Sequence, residues 1–516
     1  MIPYRPEIFT DFAQEAHKVA LTNALEEVRQ ALGKSYPLLL EGIPVMQEQT
    51  FSSINPSQKD EVIGHVSKAT AEQARRAVDH AHEMFPAWAY TSVYDRAAVL
   101  FRAAAKMRRR KHEFSSWLML EAGKTAAEAD ADTAEAIDFM EYYGRQMIAL
   151  SETANAKLTP LPGELSELQY LPLGTAVVIP PWNFALAITV GMTTAALVAG
   201  NTVVLKPASA TPVVAYHFAK LLEEAGLPKG VLQYVPGSGS EIGDVLVDHP
   251  HTRLISFTGS KDVGLRIFAK ASVLQPGQKW LKRFIGELGG KDAIVVDQDA
   301  DLEEAAVAIV GSAFSFSGQK CSACSRAIVH EAVYDEVLER CVALTEAFTV
   351  GHVEDIKVNT GPVIDEAAHQ KILTYIDIGK QEGRLVAGGR KGSDAGYYIE
   401  PTIFADVDAK ARIMQEEIFG PVLAFSKASS FDEALAIAND TDYGLTGAVF
   451  TRNGLHAKKA RDVFHVGNLY INRKCTGAIV GAHPFGGFNL SGTDSKAGGP
   501  DYLLQFTQPK LISEKL

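Results

Sequence analysis

The sequence predicts an α/β fold with two doubly wound parallel-sheet domains. From Leu171 onward, short β-branched runs alternate with stretches of helical periodicity, which is the pattern of strands joined by crossover helices. A second series of the same kind begins after Gly290. The runs are apolar at successive positions, as strands covered on both faces require. With 516 residues and 47% hydrophobic content, the chain can bury two cores of this size.

Helices are predicted before the first strand series. Apolar residues near helical spacing predict an amphipathic helix over residues 8–32. A longer helical block over residues 71–150 is expected to break around Pro86 and at Gly123, because proline lacks the backbone donor and glycine favours helix ends. The alanine and acidic content of this block favours a supporting role over a site.

The two strand series give the predicted order of elements. The first contains strands at 175–179, 202–205, 231–235 and 254–257, with a helix at 212–224. The second contains strands at 293–296 and 326–329 around a helix at 302–314, and it continues to about residue 490. Residues 506–512 form a last strand candidate that is free to pair outside its own domain.

Composition argues against several classes of function. The formal net charge of −12 argues against nucleic acid as a partner. No apolar run is long enough to cross a bilayer and no secretory leader is recognised, so no membrane association is expected. Four cysteines in a chain of this length do not form a disulfide framework, which favours a cytoplasmic location.

Two short segments carry the residues with the clearest chemistry. Cys321 follows Gly318 and Lys320 among small residues, so we expect an accessible, electropositive setting that favours the nucleophilic thiolate. Glu287 lies in an apolar, glycine-rich segment, where a carboxyl group is hard to ionise and suits a general base near neutral pH. A nucleophile and a base together predict covalent catalysis.

Cys321 also has other interpretations. With Cys324 it forms a C-x-x-C motif, which is typical of a redox dithiol or of half a zinc site. The sequence has no second C-x-x-C motif and no histidine pair at zinc-finger spacing, so no metal is expected. A buried cysteine that only fills space is the plain structural alternative, and a reversible Cys321–Cys324 disulfide is a further hypothesis.

The residues that follow the predicted strands are candidates for ligand binding, because open parallel sheets bind ligands at the carboxyl ends of their strands. Asn183 follows the first strand, where its amide can serve an oxyanion or simply cap a helix. Lys206 and Ser209 follow the second strand and suit a ribose or a phosphate, or only solvent. The helix that begins after Ser260 offers backbone amides to a pyrophosphate.

These residues belong to motifs that resemble the aldehyde dehydrogenase superfamily, over the chain from about residue 50 to its end. The resemblance implies an aldehyde dehydrogenase-like fold, in which a β-hairpin arm for oligomerisation accompanies the two sheet domains. Seven motifs stand in the family's order, at residues 181–184 (PWNF), 206–207 (KP), 257–260 (FTGS), 287–290 (ELGG), 318–321 (GQKC), 416–421 (EEIFGP) and 484–487 (PFGG).

The resemblance implies a mechanism and a cofactor. Cys321 attacks an aldehyde to give a thiohemiacetal, and Asn183 with the Cys321 amide holds the oxyanion. Hydride transfer to NAD leaves a thioester, and Glu287 activates the water that releases the acid. The residues assigned to the cofactor are Ile179, Pro181, Trp182, Lys206, Ser209, Gly239, Phe257, Gly259, Ser260, Val263, Leu288, Glu417 and Phe419.

Ser209 departs from the pattern of many NAD-preferring members. These members carry glutamate at this position, where it grips the ribose 2′-hydroxyl and repels a 2′-phosphate. Serine removes that repulsion, so we expect NAD as the cofactor with NADP tolerated.

Within the superfamily, the chain is most similar to the branch that oxidises L-glutamate γ-semialdehyde, the open form of 1-pyrroline-5-carboxylate, in proline and arginine breakdown. Another aldehyde, or acyl transfer to coenzyme A, is the alternative, and Glu287 disfavours the second because CoA-acylating relatives generally lack this carboxylate. The residues assigned to this substrate are Phe184, Lys320, Ser322, Gly477, Ala478 and Phe485.

The resemblance also implies the domain limits and a homo-oligomer. Residues 1–150 and 173–288 are expected to form the N-terminal helices and a Rossmann-like NAD-binding domain. Residues 289–490 are expected to form the catalytic domain. Residues 151–172 and 491–516 are expected to form the oligomerisation arm of a dimer or dimer-based assembly.

Overall fold

The computed structural model describes residues 2–516 and contains helices throughout this range. Short 3₁₀ and π turns occur besides the α-helices. The α-helices are α1 (Glu15–Arg29), α2 (Ala71–Ala89), α3 (Val93–Arg109), α4 (Lys111–Ala122), α5 (Ala126–Thr153), α6 (Ala187–Val198), α7 (Pro212–Glu224), α8 (Asp244–Asp248), α9 (Lys261–Ala271), α10 (Leu302–Phe314), α11 (Tyr334–Glu346), α12 (Glu366–Glu382), α13 (Arg412–Gln415), α14 (Phe431–Asn439) and α15 (Gly454–Val463).

Strands alternate with these helices along most of the chain. Many are four or five residues long and fully buried, as the apolar runs of the sequence predict. The strands are β1 (Lys34–Tyr36), β2 (Leu38–Leu40), β3 (Ile43–Val45), β4 (Thr50–Ile54), β5 (Val62–Ser67), β6 (Glu164–Pro172), β7 (Thr175–Ile179), β8 (Thr202–Leu205), β9 (Leu232–Tyr234), β10 (Thr252–Thr258), β11 (Arg283–Glu287), β12 (Asp292–Val296), β13 (Cys324–His330), β14 (Arg384–Ala387), β15 (Thr402–Ala405), β16 (Val422–Ala428), β17 (Tyr443–Gly444), β18 (Thr446–Phe450), β19 (Asn468–Ile471), β20 (Phe488–Asn489) and β21 (Thr507–Lys515).

Two seven-stranded sheets form the centre of the fold. The first has the order β11-β10-β7-β8-β9-β2-β3 and the second has the order β14-β15-β16-β13-β12-β18-β19. Strands β7 to β11 run parallel, and the antiparallel pair β2–β3 extends one edge. In the second sheet only β14 is antiparallel. The predicted fold class, with two doubly wound parallel sheets, is confirmed, although the β2–β3 extension was not predicted.

The arm differs from a simple hairpin. Strand β6 pairs along its full length with β21, from Thr507 opposite Pro172 to Lys515 opposite Glu164. The two strands come from distant parts of the chain, so they form a two-stranded antiparallel ribbon without a tight connecting turn. The pairing confirms that the C-terminal segment pairs outside its own domain, and it corrects the expectation that the arm is a β-hairpin.

One helix prediction needed correction. The N-terminal helix starts at Glu15 and not near residue 8, and before it the Glu7 and Thr10 backbone N–H groups donate to Asp138 and Asp130. Helix α2 continues through Pro86 and ends at Ala89, so the break predicted around Pro86 falls shortly after it, before α3 begins at Val93. The break at Gly123 is confirmed, since this residue ends α4 in the left-handed conformation.

Candidate active site

Cys321 follows a strained turn at the end of α10. Phe316 and Ser317 both have positive φ angles (52° and 53°), and Gly318 continues in the same region at 67°. A Cβ on Gly318 would lie 2.4 Å from the Gly420 carbonyl oxygen, so only glycine fits there. The Ser317 backbone N–H donates to the Thr360 hydroxyl (2.7 Å), which helps to hold the turn. Such strain is commonly stored at functional sites.

The glycine-rich segment after Glu287 packs directly against the cysteine loop. A Cβ on Gly290 would lie 2.1 Å from the carbonyl oxygen of Cys321. One residue earlier, a Cβ on Gly289 would lie 2.5 Å from Oε2 of Glu417. The Gly290 N–H donates to the other Glu417 oxygen (2.8 Å). Absence of side chains therefore lets three of the seven sequence motifs meet at one point.

The expected electropositive setting of Cys321 is wrong for this structure. Burial raises the pKa of the Cys321 thiol well above its ordinary value, and the nearby carboxyl groups of Asp292, Glu287 and Glu417 raise it further. Lys320 does not offset them, because its Nζ donates to Glu128 (2.9 Å). The protein by itself therefore holds the thiol form, and a cation bound at the site would be needed to favour the thiolate.

Glu287 ends strand β11, at the edge of the first sheet. Burial raises its pKa to about 8, and the hydrogen bond from the Ser495 hydroxyl to Oε1 acts in the opposite direction. Its Oε2 is buried without a hydrogen-bond partner within the described residues. This matches the predicted carboxyl group that is hard to ionise and is available to accept a proton.

Asn183 lies next to the cysteine loop. Its side chain is 4% exposed, and its Nδ2 donates to the carbonyl of Gln319 (3.0 Å), two residues before Cys321. An amide nitrogen carries two hydrogens, so one remains for a substrate oxygen. Helix α6 starts only at Ala187 and its cap is Leu186, so the alternative role of Asn183 as the helix cap is wrong.

Neighbouring strands of the first sheet bring the predicted cofactor residues to one edge. Strands β10, β7 and β8 are adjacent, and Phe257, Ile179 and Lys206 lie at or just beyond their carboxyl ends. Pro181 and Trp182 follow β7, and the Trp182 ring contacts that of Phe419 edge to face, with centroids 5.4 Å apart. This is the place where an open parallel sheet binds a ligand.

Several groups at this edge lack a structural partner. Lys206 is 6% exposed, and its Nζ contacts only the carbonyl of Pro207 (3.3 Å). Burial lowers the pKa of Lys206 to about 8. Ser260 precedes α9 without capping it through its side chain, and Gly239 has open space where a Cβ would lie. A partly buried cation, a free hydroxyl and an open glycine fit a sugar-phosphate ligand.

Close packing explains why glycine, and no larger residue, occupies two other positions at this edge. A Cβ on Gly259 would lie 2.6 Å from the Phe257 ring, and a Cβ on Gly264 would lie 2.2 Å from a methyl group of Leu288. The start of α9 is thereby seated against the segment that carries Glu287. Val263 is 43% exposed in the first turn of α9, and Ser209 is exposed beyond β8.

Phe184 and Phe485 carry the predicted apolar part of the substrate site. Phe184 is half-buried, and the ammonium of Lys124 lies over its ring at 4.2 Å. Phe485 is held by the bond from its backbone N–H to Ala497 (2.9 Å). Ser322, next to the nucleophile, is buried, and its carbonyl accepts from the thiol of Cys475 (3.3 Å).

The loop with Gly477 and Ala478 lies beside a cluster of charges that the sequence did not reveal. Gly477 is exposed with φ of 77°, and a Cβ on it would lie 3.9 Å from the Lys474 Nζ. Burial and the neighbouring Lys320 lower the pKa of Lys474. Burial disfavours the Glu128 carboxylate, but the charges of Lys320 and Lys124 outweigh it and lower its pKa.

Lys124 and Asp132 form a second hidden feature. They pair at 2.8 Å with both side chains fully buried, and Asp132 also accepts from the backbone N–H of Ala187 (2.6 Å). The pair thus supports the segment between Asn183 and α6. The acidic residues of the long helix α5 indicated a scaffold in the sequence, and no signal in the sequence marked Asp132 as buried.

The C-x-x-C motif acts as separate thiols. All four cysteines are free, and Cys324 opens the buried strand β13, where its thiol donates to the carbonyl of Arg326 (3.4 Å). The Cys321–Cys324 disulfide stays a hypothesis. No helix within residues 2–516 is long and apolar enough to span a membrane.

Comparison with known proteins agrees with this geometry. The profile of the Aldehyde dehydrogenase family matches residues 45–512. The 1-pyrroline-5-carboxylate dehydrogenase of Geobacillus thermodenitrificans (strain NG80-2) is 63% identical over 512 residues, which cover 99% of either chain. The 1-pyrroline-5-carboxylate dehydrogenase 2 of Bacillus subtilis (strain 168) is 60% identical, again over 99% of both chains.

Solved structures show the same fold. A 1-pyrroline-5-carboxylate dehydrogenase from Thermus with bound NAD superposes with a TM-score of 0.98 at 47% identity, covering 100% of both chains. The betaine aldehyde dehydrogenase of Staphylococcus aureus in complex with NAD⁺ gives a TM-score of 0.88 at 29% identity, covering 96% of this chain and 97% of that one. The resemblance predicted from the motifs is confirmed, and the chain belongs to the aldehyde dehydrogenase family.

Proposed function

We propose that this protein oxidises L-glutamate γ-semialdehyde, the open form of 1-pyrroline-5-carboxylate, to L-glutamate with NAD. The observation that carries the proposal is the meeting of Cys321, Glu287 and Asn183 at one point, beside a loop whose amides and neighbouring lysines suit a carboxylate. Relatives about 60% identical bear the name 1-pyrroline-5-carboxylate dehydrogenase, which supports the substrate.

In the first step Cys321 loses its thiol proton to solvent, and its sulfur forms a bond with the aldehyde carbon as the carbon–oxygen π bond breaks. As this bond forms, the carbonyl oxygen becomes an oxyanion and needs donors. The free N–H of Asn183 and the backbone N–H of Cys321 serve as those donors. Buried donors that are already oriented stabilise developing charge without reorganisation, which is the usual basis of an oxyanion hole.

The first-sheet edge fits NAD. Lys206 and Glu417 would hold the ribose hydroxyls, and Ser260 with the first turn of α9 would face the pyrophosphate. When bound, NAD supplies the acceptor for the hydride of the thiohemiacetal carbon and a positive charge beside Cys321. Trp182 and Phe419, in contact with each other, would border the nicotinamide side. Ser209 leaves room for NADP as well.

Glu287 serves the release of the product. The thioester left on Cys321 must be attacked by water, and the water must lose a proton. Its unpartnered Oε2 and its pKa of about 8 make Glu287 a base that is strong enough to take this proton near neutral pH. The bond from carbon to sulfur then breaks, giving the free acid and the Cys321 thiol. A coenzyme A acceptor would not need this carboxylate.

The substrate's far end carries an ammonium and a carboxylate group. Ser322 and the amides of Gly477 and Ala478 would bind the carboxylate, with Lys474 and Lys320 adding positive potential. Phe184 and Phe485 would enclose the methylene chain between the two polar ends. A simple aliphatic aldehyde would leave this charged loop unused.

The same proposal extends to domains and assembly. We propose that residues 2–150 and 173–288 form the cofactor domain, 289–490 the catalytic domain, and 151–172 with 491–516 the arm; residue 1 of the predicted first range lies outside the described residues. Exposed apolar side chains on the arm (Leu165, 58%; Leu511, 60%) and on α9 (Phe268, 56%) support burial in a dimer or a dimer-based assembly. The free cysteines support a cytoplasmic location.

The test compares substrates and coenzyme A. We expect kcat/KM for L-pyrroline-5-carboxylate to exceed that for propanal or hexanal by about 100-fold or more, because a site with polar anchors rejects ligands that lack their partners. L-Glutamate should form without coenzyme A. Equal turnover of simple aldehydes would reject the substrate but keep the dehydrogenase. Dependence on coenzyme A would reject the hydrolytic mechanism.

A further inference from the structure

A compact group of potential metal ligands lies far from Cys321. Asp79 on helix α2 and His249 and His251, in the turn between α8 and β10, each offer one ligand atom, and these atoms lie within 4.8 Å of one another. His251 Nδ1 is 2.8 Å and His249 Nε2 is 3.5 Å from the same Asp79 oxygen. Within residues 2–516 no other group of three such residues meets this spacing.

These separations match those around a tetrahedral ion. Zinc bonds to nitrogen and oxygen of about 2.0–2.1 Å place neighbouring ligand atoms about 3.3 Å apart. Two imidazoles and one carboxylate suit borderline metals such as Zn²⁺ or Co²⁺. We propose that Asp79, His249 and His251 bind one divalent transition-metal ion of this class, with water completing the coordination.

The surroundings hold the imidazole rings in place. His249 is 9% exposed, so packing restricts the motion of its ring. The His251 ring stacks on that of His82 with centroids 4.2 Å apart, which fixes its plane. His82 Nδ1 is buried without a hydrogen-bond partner in the described part of the chain.

Three features limit the affinity. The backbone N–H of His251 donates to His249 Nδ1 (3.2 Å), and metal binding at Nε2 would move a proton to Nδ1 and displace this long bond. The Asp79 hydrogen bond to His251 is likewise exchanged for a metal bond. Lys282 and Arg75 also place positive charge near His249.

The position makes the proposed ion a structural link. His251 directly precedes β10, at the amino edge of the first sheet, whereas the cofactor edge lies at the other end of the same seven-residue strand. The ion would therefore join α2 to β10 about 20 Å from the cofactor edge, given about 3.3 Å per strand residue. The proposal does not depend on the proposed function.

The experiment uses the full chain with Cys321→Ala, so that the active-site thiol does not bind the probe. The EDTA-treated protein is dialysed against ZnCl₂, and bound zinc is measured by atomic emission, while Co²⁺ absorption reports the coordination number. We expect one zinc per chain and visible bands of tetrahedral Co²⁺. Asp79→Asn or His251→Ala should weaken binding by at least about 10–100-fold, the loss known for even outer-sphere changes.

His80→Ala is the matched control, because its ring packs towards Gly230 and not towards the cluster. It should bind zinc as the background protein does. Thermal melting in EDTA shows that each variant folds, and Zn²⁺ should raise the melting temperature only where the three ligands are intact. Absence of binding in the background protein, or equal binding in His251→Ala and His80→Ala, would overturn the proposal.

Discussion

The carboxyl edge of the first sheet and the loop that carries Cys321 differ in how exposed their polar and ionisable groups are. At the first edge, Ser209, Gly239 and Ser260 are exposed, and binding relies on backbone, hydroxyl groups and one buried lysine. Around Cys321, ionisable groups are buried and their pKa values are displaced: that of Glu287 is raised to about 8 and that of Asp292 to about 8, both chiefly by burial. A cofactor that must bind and dissociate needs a solvent-accessible site. The making and breaking of bonds at Cys321 is instead favoured where water is excluded.

The largest expected effect is on catalysis alone, and it distinguishes the Cys321 loop from the cofactor edge. Cys321→Ala should lower kcat by more than about a thousandfold, because the covalent step is lost. NAD binding, measured by calorimetry, should remain within a few-fold of the wild type, because the first-sheet edge is untouched. Turnover retained at a tenth of the wild-type rate would show that the two regions are not divided as described.

Glu287→Gln gives the next largest effect. We expect kcat to fall by about 10²–10⁴-fold, the usual contribution of a general base, while a stoichiometric burst of NADH survives. The raised pKa of about 8 means that the base form grows as pH rises, so wild-type kcat should increase through that range. The variant should lack this rise. A variant without any burst would instead assign Glu287 to the first chemical step.

Lys474→Met tests the substrate end of the catalytic region. KM for L-pyrroline-5-carboxylate should rise about tenfold, because positive potential near Gly477 is lost. This change corresponds to the free energy of one charge-assisted hydrogen bond. KM for propanal should not change. Lys458→Met, an exposed lysine on α15, is the control. Equal losses with both aldehydes would point to a structural role for Lys474.

Ser209→Glu is expected to have the smallest and most selective effect. A carboxylate at this exposed position should lower kcat/KM for NADP about tenfold through like-charge repulsion and leave that for NAD within about twofold. Ser209→Ala should leave both unchanged. If NADP use is the same in all three proteins, Ser209 does not face the 2′-position.

Much of the fold was predictable because it depends on local periodicity. The helices Pro212–Glu224 and Leu302–Phe314 and the strands Thr175–Ile179 and Thr202–Leu205 have the predicted limits. In each of these segments, the apolar pattern and the flanking residues indicate the same type of element and the same limits. The start of α1 was mispredicted, because long-range hydrogen bonds to Asp130 and Asp138 hold the preceding residues outside the helix.

The sequence by itself predicted which residues take part in the chemistry, since the motifs ELGG and GQKC place a candidate base and a candidate nucleophile in glycine-containing segments. Only the tertiary structure determined which charges surround these residues and how their pKa values are displaced. Lys320 adjoins Cys321 in sequence, yet its charge is turned to Glu128, while Asp292, Glu287 and Glu417 converge on the thiol from other elements. A pKa depends on burial and on charges close in space, and the chain order records neither.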